Sequence, residues 1–262
     1  MASPGKHKPD WHHEDGFDFQ LFPAKTGKAS RLIVVMHGHG SNPENWEPHA
    51  RQLHDAIPDA DIINLRGPLK TAPKPGEAQG YTWVPHEGKL LAQGKAYLSL
   101  IFNHLPIVDD LNRYLDKQLK KRDLQDENLG ILGNSMGCIT ALQTTLHREH
   151  PVGGVVGHSG ALLPFTKGKT KPEVLLIMGG KDEIFCRPDE PKAKGLLKRT
   201  FNKVASRFNI QHRDTKRRME KKGIPFEEKF YPDLAHEANA QTITDSAVFL
   251  NKKIKSKHHP DI

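Results

Sequence analysis

The chain has 262 residues, of which 36% are hydrophobic and two are cysteines, and its formal net charge is +8. This length fits one α/β domain of the larger kind or at most two small ones, and the composition indicates neither disorder nor a fibrous repeat. The first residues contain no apolar stretch that could serve as a signal sequence, and no apolar run approaches the roughly 18 residues that span a membrane. With so few cysteines, we expect a cytoplasmic protein.

Apolar patterns predict strands and helices that alternate along the chain. Residues 31–36 form an apolar run typical of a strand buried on both faces, whereas residues 17–21 alternate and suit an edge strand. Residues 1–15 are polar, and we expect a loose lead-in there. In chain order the predicted elements are strands 17–21 and 31–36, helix 42–56, strand 61–65, an irregular excursion over 66–105, helix 107–122, strand 128–132, helix 136–149, strands 152–156 and 173–178, a helical segment within 190–222, strand 226–231 and helix 240–254.

This alternation favours one doubly wound, mostly parallel sheet with helices on both faces. In such sheets the functional site lies at the carboxyl ends of the strands. We therefore expect the chemistry to lie directly after Met36, Leu132, Met178 and Tyr231.

The positive charge is concentrated in one segment. Residues 186–222 contain thirteen Lys/Arg and four Asp/Glu, a net charge of +9, so the remainder of the chain carries −1. With apolar residues at helical spacing, this segment could be a solvated helix with its aromatic side chains turned inward, or it could bind nucleic acid or anionic lipid. The solvated helix is the favoured interpretation because charge runs usually face water.

A G-x-S-x-G motif marks the candidate nucleophile. It spans Gly133 to Gly137 and places Ser135 between a predicted strand and a predicted helix. A turn this tight strains the serine backbone, and side chains two residues away on either side would collide. Such motifs also occur by chance in glycine-rich turns, but the strand and helix around this one favour a catalytic serine.

A serine hydroxyl needs a neighbouring base, and the base needs an acid that orients it. In this arrangement the chain order is serine, acid, histidine. Asp182 follows two glycines at a predicted strand end and is favoured as the acid over Glu183, Asp189 and Asp233. His236 lies between the last strand and the last helix, and we predict that it is the base.

Acyl transfer also needs donors for a developing oxyanion. We predict the backbone N–H of Met136 and that of His39, which lies in a His-Gly-His-Gly turn after the strand 31–36. His37 is interpreted as a structural residue beneath this loop. Because no acid or cysteine cluster accompanies the two histidines, we expect no metal and no other cofactor.

Taken together, the sequence resembles the phospholipase/carboxylesterase family of α/β-hydrolases, which includes acyl-protein thioesterases. The resemblance spans about residues 17–254 and rests on residues 36–40, Trp46, residues 66–68, Trp83, residues 133–137, residues 179–182 and His236. It implies an α/β-hydrolase fold over 16–262, hydrolysis of carboxylic esters or thioesters, and an acyl pocket bordered by an aromatic loop that contains Trp83.

Two departures limit what the resemblance implies. The family usually has Phe-Ser-Gln-Gly around the nucleophile, where this chain has Asn134, Met136 and Cys138, and the basic helical insertion at about 186–224 is longer than usual. We expect a small-molecule ester or acyl substrate and no obligatory nucleic acid. The alternatives are a low-turnover binding or receptor-like module with the same fold and a binder of anionic surfaces.

Overall fold

The structure is a computed structural model that describes residues 10–72, 75–85, 105–186 and 210–257. Its strands and helices alternate as the sequence predicts. The strands are β1 (Asp10–Glu14), β2 (Phe17–Phe22), β3 (Arg31–Met36), β4 (Ala60–Leu65), β5 (Leu69–Lys70), β6 (Tyr81–Thr82), β7 (Leu129–Asn134), β8 (Gly154–His158), β9 (Val174–Gly179) and β10 (Phe226–Tyr231). The α-helices are α1 (Pro43–Ala56), α2 (Leu105–Arg122), α3 (Met136–Leu146), α4 (His212–Lys222) and α5 (Ala240–Lys253).

Eight of these strands form one sheet in the order β1-β2-β4-β3-β7-β8-β9-β10. The pairs β1–β2 and β2–β4 are antiparallel, and all others are parallel. After β3 the chain turns first to β4 on one side and later to β7 on the other. This reversal opens a crevice at the carboxyl ends of β3 and β7, where doubly wound sheets bind their ligands.

Helices cover both faces of the sheet and bury its apolar side chains. Side chains of α2, α3 and α4 pack on one face, and side chains of α1 and α5 pack on the other. The central strands β3 and β7 are buried along almost their whole length, which explains their continuous apolar sequence. The predicted fold class, a mostly parallel α/β-hydrolase sheet, is confirmed.

The helix start predicted at Asn42 is confirmed by its hydrogen bonds. Its side-chain oxygen accepts the N–H of Asn45 over 2.8 Å, and Pro43 begins the helix. The last helix, α5, starts in the same way, because Asn239 accepts the N–H of Thr242 over 3.0 Å. Both helices therefore begin where local side-chain chemistry satisfies the unpaired N–H groups of the first turn.

Two predictions at the amino-terminal end were wrong. Residues 10–14 are the edge strand β1 rather than part of a loose lead-in, and residues 1–9 of that predicted lead-in lie outside the described ones. Strand β2 consequently lies second in the sheet rather than at its edge. The signal was weak because the side chains of β1 are polar apart from Trp11. The ring of Trp11 packs against the guanidinium of Arg66, 4.0 Å from its centroid, so a tertiary contact supports this strand.

Other observed element boundaries differ from the predicted ones by a few residues. Strand β8 runs over Gly154–His158, two residues later than predicted, and α3 ends at Leu146 rather than at 149. The excursion over 66–105 contains the short antiparallel pair β5–β6, and its residues 86–104 lie outside the described ones.

Much of the predicted basic helical segment also lies outside the described residues. This applies to residues 187–209, and therefore to the predicted apolar stripe of Leu197, Phe201, Val204 and Phe208. The described remainder is α4, which belongs to that segment. No helix in the described ranges is long and apolar enough to cross a membrane.

Candidate active site

The serine of the G-x-S-x-G motif lies at the sharp turn between β7 and α3. Ser135 has φ 53° and ψ −116°, a conformation that residues with side chains rarely adopt. Its N–H donates to the carbonyl oxygen of His158 over 2.8 Å. A Cβ on Gly133 would lie 2.3 Å from the Gly137 oxygen, and one on Gly137 would lie 2.2 Å from the Met36 oxygen. Both flanking positions therefore require glycine.

The histidine predicted as the base lies beside this serine. Nε2 of His236 is 2.9 Å from Oγ of Ser135, and Nδ1 of the same ring is 2.8 Å from Oδ2 of Asp182. A carboxylate only accepts hydrogen bonds, so the neutral ring carries its proton on Nδ1 and leaves Nε2 to accept from the hydroxyl. The loops that follow three different strands thus bring together Ser135, His236 and Asp182, the residues predicted as nucleophile, base and acid.

The carboxylate of Asp182 is fully buried. Its Oδ1 accepts the N–H groups of Ile184 and Phe185 over 2.9 and 3.0 Å. Burial raises the pKa of Asp182, but the hydrogen bond from His236 and those from the two backbone groups together outweigh it, and the pKa lies below its usual range. The carboxylate is therefore ionised and can stabilise a protonated His236.

The other acids considered from the sequence occupy different positions. Asp233 is 92% exposed and pairs with Lys181 over 2.8 Å, and Glu183 is also exposed. Asp189 lies outside the described residues. The N–H of Lys181 donates to the Leu234 oxygen over 2.9 Å, which ties the loop of the acid to the loop of the histidine.

The two predicted oxyanion donors belong to segments that border the serine. Met136 is the first residue of α3, so its N–H has no acceptor within the helix. A Cβ placed on Gly38 would lie 3.2 Å from the Cβ of Ser135, so the loop that carries His39 passes directly beside this serine. A carbonyl group attached to Oγ of Ser135 would lie between the amino-terminal end of α3 and the loop that carries His39.

His37 lies beneath this loop, as predicted, and is fully buried. Its Nε2 accepts the N–H of Gly67 over 3.0 Å, and its Nδ1 donates to the Gly38 oxygen over 2.7 Å. Burial lowers the pKa of His37 to about 4, so the ring stays neutral and keeps both bonds at neutral pH. The loop is therefore positioned by a residue about thirty positions further along the chain.

Trp83 and Thr82 hold the same loop from the other side. The indole N–H of Trp83 donates to the His37 oxygen over 2.8 Å, and Nδ1 of His39 lies 3.0 Å from Oγ1 of Thr82. The sequence analysis missed the positioning roles of Thr82 and Gly67, because the excursion has no periodicity that signals a partner. Trp83 is 1% exposed, and its predicted place beside an acyl pocket stays a prediction.

His158, the last residue of β8, is a further polar residue that the sequence analysis missed. It is fully buried, and neither ring nitrogen has a hydrogen-bond partner among the described residues. Burial, with the nearby rings of His49 and His236, lowers the pKa of His158 to about 3, so this ring is neutral. The predicted strand 152–156 ended two residues too early, which hid His158 at a carboxyl strand end.

A thiol or a bound metal ion would be two other sources of chemistry near the serine. Cys138 is buried, and burial raises the pKa of its thiol to about 12, so the thiol is uncharged at neutral pH. Within the described ranges, no group of three or more His, Cys, Asp or Glu side chains could hold a metal ion. The expectation that no metal takes part stays a prediction.

A mostly parallel sheet with a serine on a strained strand-to-helix turn is the arrangement of α/β-hydrolases. A sequence model of the Phospholipase/Carboxylesterase family matches residues 22–222, which is most of the chain. The chain belongs to this family.

Several solved structures are similar to this chain. Esterase PE8 matches with a TM-score of 0.72 and 19% identity, covering 90% of this chain and 99% of that one. SOBER1 of Arabidopsis thaliana matches with a TM-score of 0.61 and 18% identity, covering 86% and 99%. The carboxylesterase of Bacillus cereus matches with a TM-score of 0.60 and 16% identity, covering 90% and 94%. At these identities the likeness concerns the fold.

One protein relative matches this chain over a shorter length than these structures do. An uncharacterized hydrolase of Mycosarcoma maydis is 24% identical over 174 residues, which are 64% of this chain and 63% of that protein. The match therefore spans less than two thirds of the relative's length.

Proposed function

We propose that this protein is a serine hydrolase that cleaves carboxylic esters or thioesters through an acyl-Ser135 intermediate. The observation that carries the proposal is the continuous chain of hydrogen bonds from Ser135 through His236 to the buried Asp182. Membership of the Phospholipase/Carboxylesterase family supports the same reaction class.

In the acylation step, Oγ of Ser135 attacks the carbonyl carbon of the substrate while its proton passes to Nε2 of His236. The ionised Asp182 stabilises the resulting imidazolium. The tetrahedral oxyanion accepts hydrogen bonds from the N–H groups of Met136 and His39. When the intermediate collapses, the proton moves from Nε2 to the leaving alcohol or thiol.

Deacylation repeats these transfers with water. His236 takes a proton from a water molecule as its oxygen attacks the acyl carbon, and it returns that proton to Oγ of Ser135 as the carboxylic acid leaves. No step needs a metal or another cofactor. Trp83 is proposed to border the acyl pocket, behind the loop that carries His39.

Labelling with a fluorophosphonate probe tests this proposal against the low-turnover binding module. The probe is expected to modify Ser135, and a p-nitrophenyl ester is expected to give a burst of p-nitrophenol followed by steady turnover. Peptide mass spectrometry locates the labelled residue. A folded protein that is neither labelled nor active would contradict the esterase and favour the binding module.

The pH dependence of kcat/KM is expected to show one rising limb near neutrality. The base must be neutral to accept the serine proton, so protonation of the base at low pH removes the activity. Below the limb, kcat/KM falls about tenfold per pH unit. His37 and His158 have pKa values of about 4 and about 3, so they are neutral across this range and do not produce the limb.

A metal-bound water could give a similar limb, so the profile is measured with and without EDTA. The proposed mechanism predicts that EDTA leaves the activity unchanged. Activity that disappears with EDTA and returns with zinc would overturn the metal-free mechanism and point to His37 and His39 as ligands.

A further inference from the structure

An aromatic side chain close to the acid of the candidate triad contacts the histidine. The rings of Phe185 and His236 are stacked, with their centroids 5.7 Å apart and an angle of 28° between their planes. Attractive aromatic pairs have centroid distances of about 4.5–7 Å, and this contact lies within that range. Phe185 is 3% exposed and the side chain of His236 is 25% exposed, so the contact covers one part of the imidazole and leaves another part open.

The backbone of Phe185 belongs to the turn that holds the acid. Its N–H donates to Oδ1 of Asp182 over 3.0 Å, and the N–H of Cys186 donates to the Asp182 carbonyl oxygen over 2.9 Å. Phe185 therefore orients the carboxylate through its backbone and contacts the histidine through its ring. It connects directly two side chains, those of Asp182 and His236, that are 54 residues apart in the chain.

The same turn is anchored to the start of α4. The carbonyl oxygen of Phe185 accepts the N–H of His212 over 2.7 Å, and Nε2 of Gln211 donates to the Ile184 oxygen over 3.0 Å. His212 is itself buried, and its Nε2 lies 2.6 Å from Oε1 of Glu228. Both polar groups of the Phe185 backbone are thus hydrogen-bonded, which fixes the position from which its ring extends.

The two hydrogen bonds of His236 leave one movement of its ring weakly restrained. Both are made by ring nitrogens, to Ser135 and to Asp182. Hydrogen bonds of ring nitrogens are directed along the ring plane, so they resist a tilt of the imidazole less than a group packed on its face does. A tilt lengthens the path of the proton from the serine, and a small displacement of a base lowers the rate strongly.

The stacked ring also suits the charge that the histidine gains in the proposed mechanism. Acylation converts His236 to an imidazolium, and a cation within about 6 Å of an aromatic centroid is attracted to the electron-rich face of that ring. This attraction is absent while the histidine is neutral, so it favours the transition state over the ground state. An aliphatic side chain would also exclude water, but it would not supply this attraction.

We propose that Phe185 is a positioning residue for the base: its ring holds His236 in line with Ser135 and stabilises the imidazolium. This inference rests on the proposed serine hydrolase function. Phe185 also belongs to the apolar cluster on one face of the sheet, so a purely structural role is the alternative. Phe17 is the matched residue for that alternative, because it is also 3% exposed, belongs to the same cluster and contacts the ring of Tyr114 instead.

Phe185→Leu tests the proposal, because leucine keeps an apolar side chain and removes the aromatic face. It is expected to lower kcat for a p-nitrophenyl ester about tenfold and to change KM less than about twofold, since a desolvated contact between a cation and a ring contributes roughly this factor. Phe17→Leu is expected to lower the thermal stability similarly and to keep kcat within about twofold. An equal fall in kcat in both variants, or a higher KM at unchanged kcat in Phe185→Leu, would overturn the proposal.

Fluorinated phenylalanine introduced at position 185 separates the charge distribution of the ring from its shape. One, two or three ring fluorines change the shape little and make the face of the ring progressively less negative. The logarithm of kcat is therefore expected to fall in proportion to the number of fluorines. A kcat that stays constant along the series would overturn the stabilisation of the imidazolium.

NMR of the His236 ring protons gives a readout that does not depend on turnover. An aromatic ring shifts the signals of protons near its face, so Phe185→Leu is expected to move the Hδ2 and Hε1 signals of His236, and Phe17→Leu is expected to leave them in place. Unchanged signals in Phe185→Leu would overturn the positioning of His236. A wild-type protein that fluorophosphonate does not label and that has no esterase activity would instead overturn the hydrolase function, and with it the stabilisation of the imidazolium.

Discussion

Replacing Ser135 by alanine is expected to lower kcat for ester hydrolysis by about a millionfold while the protein stays folded. The hydroxyl is the only group of this residue that bonds to His236, and its removal leaves the base with nothing to deprotonate. The strained backbone conformation belongs to the turn and not to the hydroxyl, so we expect alanine to adopt it as well. The assay combines turnover of a p-nitrophenyl ester with circular dichroism.

Ser159→Ala is the matched control for this substitution. Ser159 also has a positive φ, 47°, and is fully buried, and its Oγ has no hydrogen-bond partner among the described residues. Its loss is expected to leave fluorophosphonate labelling and most of the activity intact. If Ser135→Ala kept its activity with an unchanged circular dichroism spectrum, the nucleophile would lie elsewhere.

Replacing Asp182 by asparagine is expected to lower kcat by about four orders of magnitude. The amide has nearly the same shape, so it can keep the acceptor role toward the N–H groups of Ile184 and Phe185. It carries no negative charge, however, and so loses the electrostatic stabilisation of a protonated His236. An amide nitrogen facing the ring would also favour the tautomer with the proton on Nε2, which cannot accept the serine proton.

The exposed acid Asp233 provides the control for Asp182. Asp233→Asn breaks only a surface ion pair with Lys181 and is expected to change kcat by less than about twofold. The thermal unfolding of both variants separates lost catalysis from lost stability. A large loss of activity in Asp233→Asn or Glu183→Gln, with little change in Asp182→Asn, would assign the acid to a different residue.

Local sequence patterns were sufficient to predict the sheet and the tight turn at Ser135. The apolar run of β3, the start of α1 at Asn42 and the two glycines around Ser135 each reflect a constraint within a few residues of the chain. Such constraints are burial on both faces, an unpaired N–H at a helix start and a close backbone approach, and all three restrict residue types strongly. The chain order of serine, acid and histidine then placed Asp182 and His236.

Other features depend on contacts between distant parts of the chain and had no local signal. The strand β1 has an almost wholly polar sequence, and it is held by pairing with β2 and by Trp11 on Arg66. His37 is positioned by the N–H of Gly67, a residue in a stretch without periodicity.

The sequence by itself therefore determined the class of fold and the residues of the candidate triad, because burial and turn geometry limit which residues can stand at those positions. Only the tertiary structure decided which acid is buried against His236 and which acid pairs with an exposed lysine, as Asp233 does with Lys181. The physical reason is that the pKa of a carboxyl and the pairing of a cation depend on neighbours brought together by folding, and spacing along the chain does not specify those neighbours.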